Sequence, residues 1–160
     1  MKKITLIFSV IFLVGCSGQS ENIDSQSIDK NETFNWRLVT SWPKNYPGLG
    51  MAPERIADLV EEMSDGQMKI TVYGAEEQVP AFGVFDAVSS GSHQMGHSGG
   101  YFWKGKVPAA QFFTSVPFGL TADEINAWVN RGGGLELWRE IYAPFNLSLI
   151  HISEPTRHLF

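Results

Sequence analysis

The sequence predicts an α/β domain built on a mostly parallel sheet with flanking helices. Two runs of strand periodicity, residues 34–40 and 68–73, bracket a stretch of helical periodicity, and a third short strand is expected near residues 94–97. Strand, helix and strand in so short a span form a βαβ unit, whose strands run parallel through a right-handed crossover.

Each element has a local reason. In the first run Trp36 and Leu38 share one face, and Ser41-Trp42-Pro43 ends it because proline removes a donor and biases its predecessor away from helix. A helix is expected over residues 52–64. Pro53 suits its first turn, Glu54 and Asp58 favour the positive end of its dipole, and Gly66 stops it. Ile56, Leu59, Val60 and Met63 follow the spacing of a single buried stripe. In the second run Met68, Ile70 and Val72 alternate with Lys69, Thr71 and Tyr73. A short helix follows over residues 81–90, with Phe82, Phe85 and Val88 near one face, and Gly91 ends it.

Residues 107–119, rich in aromatics and prolines, are expected to cross the domain as an extended segment. Thr121-Ala122-Asp123-Glu124 is a capping box opening a helix whose inner face is Ile125, Trp128 and Val129. Gly132-Gly133-Gly134 breaks that helix, since each glycine costs about 1 kcal/mol relative to alanine. Leu135, Trp138 and Ile141 restart the period in a second helix ending near Pro144.

No catalytic constellation emerges. His93 and His97 are four apart, but Gln94 stands where a zinc protease has glutamate, and glycines at 91, 96, 99 and 100 oppose a helix there. Those glycines match no phosphate-binding fingerprint, and His97-Ser98-Gly99 is not a nucleophile elbow. Glu76 and Glu77 are adjacent on an expected loop and point apart. No metal, cofactor or enzymatic activity is expected. The net charge of −5 argues against nucleic acid, which needs clustered Lys and Arg.

The aromatics are more informative. In open parallel sheets ligands bind beyond the carboxyl ends of strands. Trp42 follows the first strand, and Tyr101, Phe102 and Trp103 follow the third. Trp42 and Tyr101 are the expected pocket walls, because each joins a polar atom to a large apolar body. Phe102 and Trp103 suit the core equally well.

The amino terminus predicts export. Met1-Lys2-Lys3 is a positive n-region, and residues 4–14 form an apolar run too short to span a bilayer. Leu13-Val14-Gly15-Cys16 resembles the lipobox of bacterial lipoproteins, so residues 1–15 are expected to be a signal peptide and Cys16, the single cysteine, the lipidated residue. Acyl chains would then hold the protein to a membrane, in the periplasm or on the outer face of the cell. Cleavage would also remove Lys2 and Lys3, taking the charge from −5 to −7. Residues 16–33 are polar enough to read as a tether. Residues 147–160 fit no element and resemble translated sequencing-adapter read-through, so they are expected to be a non-native tail.

Several ordered blocks carry a family resemblance over residues 34–146. They are residues 36–43 (WRLVTSWP), 79–82 (VPAF), 85–88 (FDAV), 95–103 (MGHSGGYFW) and 116–120 (VPFGL), extended by Ala127-Trp128 and Gly132-Gly133-Gly134. The chain resembles the DctP-type solute receptors of tripartite ATP-independent periplasmic (TRAP) transporters, in the branch that takes keto acids and related organic acids. The resemblance implies the N-terminal lobe of a two-lobe periplasmic-binding-protein-like fold closing on a small organic anion and handing it to TRAP membrane subunits. It matches Trp42 and Tyr101 to pocket aromatics and adds Gln78 and Phe118 as ligand-binding candidates. Family members are about twice as long, and the arginine that grips the ligand carboxylate lies in the second half. The chain therefore reads as a partial solute-binding domain, residues 34–146, that binds poorly alone. The rival expectation is a self-contained surface lipoprotein acting through protein contacts.

Overall fold

The computed structural model describes residues 32–114 and 116–149. The expected signal peptide, Cys16, all but the end of the tether, and the tail from residue 150 onward lie outside these residues.

Three parallel strands form the sheet: β1 (Phe34–Thr40), β2 (Met68–Tyr73) and β3 (Met95–His97), in the order β2-β1-β3. Pairing sets Trp36 against Ile70 and Leu38 against Val72, while on the other side Leu38 meets Met95 and Thr40 meets His97. This is the expected βαβ unit with a third strand added at β1's other edge. Both faces of the sheet are covered, as a parallel sheet requires.

One face lies under α1 (Met51–Met63), where Leu38, Ile70 and Val72 pack with Ala57. The helix is rotated from its expected setting. Pro53 and Ala57 are its buried residues, with Val60 partly buried beside them, whereas Leu59 is 42% and Met63 77% exposed. Small side chains let the helix lie close to the sheet. The bulkier edge of Ile56, Leu59 and Met63 is thereby turned toward β3 and into a groove beside it.

The opposite face carries the larger core. Val39 packs with Val84, Phe85 and Ala87 of α2 (Val84–Ser89), and with Trp103, Val107, Ala110 and Phe113. Burying each large side chain contributes roughly 1.5–3 kcal/mol. Residues 107–119 do not cross the domain as an extended strand. Pro108–Phe113 is a 3-10 helix, because Val107, Ala110 and Phe113, three apart, all turn inward onto one core.

Helix α3 (Ala122–Arg131) opens with the expected capping box. Thr121 Oγ1 accepts from the Glu124 N–H at 3.4 Å, and the Thr121 N–H donates to Glu124 Oε2 at 2.8 Å. Helix α4 (Gly134–Tyr142) follows at once. Gly133, between them, has φ +84°, a backbone that side chains resist, so the two helices fold against each other without a longer loop. Phe113 is stacked on both Trp128 of α3 (5.4 Å) and Trp138 of α4 (5.1 Å), which clamps the pair to the 3-10 helix. A last 3-10 turn, Ala143–Phe145, leads to Leu147 and Leu149, and these two residues pack on the larger core.

Candidate functional site

The carboxyl ends of β1 and β3 lie side by side, and the chain beyond each end is tied to the other. Ser41 Oγ donates to the Ala81 carbonyl at 2.7 Å, so the 2.6 Å contact between Ser41 Oγ and Ser98 Oγ takes its proton from Ser98. Thr40 Oγ1 lies 3.1 Å from His97 Nδ1 and also accepts from the Trp42 N–H. The Trp42 carbonyl accepts from the Ala75 N–H, which holds the β2 loop over the same end of the sheet. Thr40 and Ser41 are buried, so this polar seam is part of the framework rather than a wet surface.

An aromatic cluster stands on the seam. Trp42 packs against the His97 ring at 4.8 Å and the Phe102 ring at 6.0 Å. Phe102 in turn meets Tyr101 at 4.5 Å and Phe82 at 5.1 Å. Trp42 and Phe102 are half-buried, while Tyr101 and Phe82 are exposed. The turn that presents Tyr101 needs a bare glycine behind it, since a Cβ on Gly100 would lie 2.7 Å from the Ala110 carbonyl oxygen. The cluster thus gathers four aromatic side chains and the His97 imidazole at the carboxyl end of the sheet.

Of the residues expected at the site, the structure joins Trp42 and Tyr101 through Phe102. Gln78 is exposed in the loop after β2, and Phe118 is fully exposed on a turn. Neither makes a ring contact or side-chain hydrogen bond with the cluster among the described residues. Two members went unforeseen. Phe82 is expected near one helix face with Phe85 and Val88, but residues 81–83 form a separate 3-10 turn that sets its ring against Phe102. His97 shows its place only through its register with Thr40. Trp103 belongs to the core.

The two histidines do not share a helix face. His93 lies in the bend before β3 and is buried, with Nδ1 3.1 Å from Ser92 Oγ, and its Nε2 has no hydrogen-bond partner. Burial, with a smaller contribution from the Arg37 charge, lowers its pKa below the usual value. Glu76 and Glu77 also diverge. The former caps the 81–83 turn through the Ala81 N–H, and the latter pairs with Lys44 at 3.3 Å. The only cation–π contact among the described residues is Lys106 over Phe85, outside the aromatic cluster.

Comparison with known proteins points one way. Residues 38–152 match the family model for DctP, bacterial extracellular solute-binding protein, family 7. A monocarboxylate 2-oxoacid-binding periplasmic protein of Nostoc sp. is 47% identical over 112 residues, which are 70% of this chain and 30% of the relative. A TRAP periplasmic solute-binding protein of Pseudoalteromonas atlantica, solved with sodium and pyruvate, is 46% identical with a TM-score of 0.69. That match covers 71% of this chain and 35% of the other. A similar protein of Colwellia psychrerythraea, solved with calcium and pyruvate, is 42% identical over the same shares, also with a TM-score of 0.69. The chain thus spans about a third of the length of these relatives.

Proposed function

The chain belongs to the DctP family of bacterial extracellular solute-binding proteins, and from that premise we propose that it supplies the aromatic lobe of a receptor that captures a small organic anion for a TRAP transporter. The ligand class is a keto acid or a related carboxylate. The observation that carries this is the cluster of Trp42, Phe82, Tyr101 and Phe102 at the carboxyl ends of two parallel strands, where such sheets place ligands.

The division of labour follows from the chemistry. The described lobe presents rings and hydrogen-bond donors, and a carboxylate needs a cation in addition, best a bidentate arginine. That group is assigned to the second lobe, and TRAP membrane subunits would receive the ligand. Trp42 and Tyr101 line the ligand directly, with Gln78 and Phe118 reaching it only on closure. The receptor performs no chemistry on its ligand. Export through residues 1–15, anchoring at Cys16 and a tether to residue 33 would hold it outside the cell membrane, with residues 34–146 as the binding portion.

Calorimetry on a chimera tests this reading. Residues 34–146 are joined to the unmatched remainder of the Nostoc relative and titrated with pyruvate. Saturable binding is expected, and Trp42→Ala or Tyr101→Ala should weaken it about tenfold, the loss of roughly 1.4 kcal/mol of ring contact. A folded chimera that binds no 2-oxo acid would sink the proposal.

A further inference from the structure

Tyr101 is 41% exposed, and a side chain so open to water ordinarily moves among its rotamers. A pocket wall needs its ring held still, because ordering it on binding costs affinity. The chain provides a seat. The phenol ring lies back against the Cα of Gly99, so that a Cβ there would fall 2.7 Å from its Cε1, 2.8 Å from its Cζ and 3.1 Å from its Oη. The hydroxyl end of the ring therefore rests just past the end of β3.

The bare Cα at this position serves the ring. Gly99 has φ −96° and ψ 135°, an extended backbone open to any residue, so no turn demands glycine there. Beyond its chain neighbours, the three heavy atoms nearest to the absent Cβ all belong to Tyr101. The backbone around it is fixed. Ser98 is bound to Ser41 at 2.6 Å, and the Gly99 carbonyl accepts from the Phe102 N–H at 3.1 Å. On the other side Gly100 is wedged against the Ala110 carbonyl. The two glycines thus differ in what a methyl group would strike. At Gly100 it meets backbone, which resists, whereas at Gly99 it meets a side chain, which yields.

We propose that Gly99 is the positioning residue for Tyr101 in the anion site, its bare Cα setting where the phenol stands and hence how it meets the ligand. An unstrained carbon–carbon contact needs roughly 3.5–4.0 Å, so a methyl group on Gly99 pushes the ring off its seat by about 1 Å. The effect on binding rests on the ligand reading, whereas the seat itself stands on the geometry alone.

Two measurements test it. In the whole chain, the ring current of the phenol should displace the Gly99 α-proton resonances, and Tyr101→Leu should abolish the displacement. Resonances that Tyr101→Leu leaves in place would overturn the seat. In the chimera described above, Gly99→Ala should lose most of the about tenfold in pyruvate affinity that Tyr101→Ala loses. Added to Tyr101→Ala it should cost nothing further, whereas a general structural loss would appear in both backgrounds. The unfolding midpoint of Gly99→Ala should hold or rise, since alanine in extended backbone loses less chain entropy on folding than glycine does. Gly105→Ala is the control, at an exposed position with open space for a Cβ, and should leave the affinity unchanged. Parent affinity in Gly99→Ala, or an equal loss with and without the Tyr101 ring, would overturn the proposal. A chimera that binds no 2-oxo acid counts against the ligand reading alone, and the resonances then decide the seat.

Discussion

His93 is the residue whose environment departs furthest from water among the histidines described. Its imidazole is buried, and burial first and Arg37 second hold its pKa below the ordinary 6.5. The folded state therefore resists a proton that the unfolded chain accepts. The stabilisation linked to this group is complete above about pH 6.5 and is lost as pH falls below that toward the depressed folded value. Urea midpoints should drop between about pH 7.5 and 5.5, and His93→Gln should flatten that slope. An identical slope in the variant would assign the pH response elsewhere. At this scale chemical type and position after a strand singled out Trp42 and Tyr101, whose rings the structure joins through Phe102. The sequence hid Phe82 and His97, because their roles arise from a local 3-10 turn and a cross-strand register that no single-chain spacing reports.

Among the elements, the capping box of α3 is the most direct case of sequence dictating backbone. The two hydrogen bonds that Thr121 donates to the Glu124 carboxylate, from its backbone N–H and its hydroxyl, also lower the carboxyl's pKa, the backbone bond contributing most. Thr121→Ala removes the cap and should cost about 1 kcal/mol, measurable as a lower thermal midpoint, while Thr121→Ser should restore most of it. Full stability in the alanine variant would mean that the Phe113 stack alone fixes the helix. Strands β1 and β2 fall where alternation put them, since their pattern is set by one sheet with two different faces. The buried face of α1 differs from the stripe that the spacing of Ile56, Leu59, Val60 and Met63 predicts, because close helix-to-sheet contact selects Pro53 and Ala57, with Val60 partly buried beside them. Residues 107–119 looked extended for a related reason. Aromatics and prolines suit strands, but a core contact every third residue suits a 3-10 helix better.

For the whole molecule, parallel architecture was legible from the βαβ spacing, and the family resemblance pointed to the lobe. What the pattern did not disclose was the strand order, in which β3 pairs with β1 and not with β2 among the described residues. The order of the strands carries a further consequence. The first of the described strands, Phe34–Thr40, is the middle one, and it pairs with partners that begin at Met68 and Met95. Its backbone amides are shielded on both sides, so in native-state hydrogen exchange Leu38 and Val39 should be among the last to exchange, opening only with the whole domain. Rapid exchange there would show that the strand frays independently. During synthesis the same strand leaves the ribosome first and waits longest, with both sides open until His97 has emerged. The nascent chain is thus most exposed to mispairing through the one segment that, once the sheet closes, is the hardest to reach.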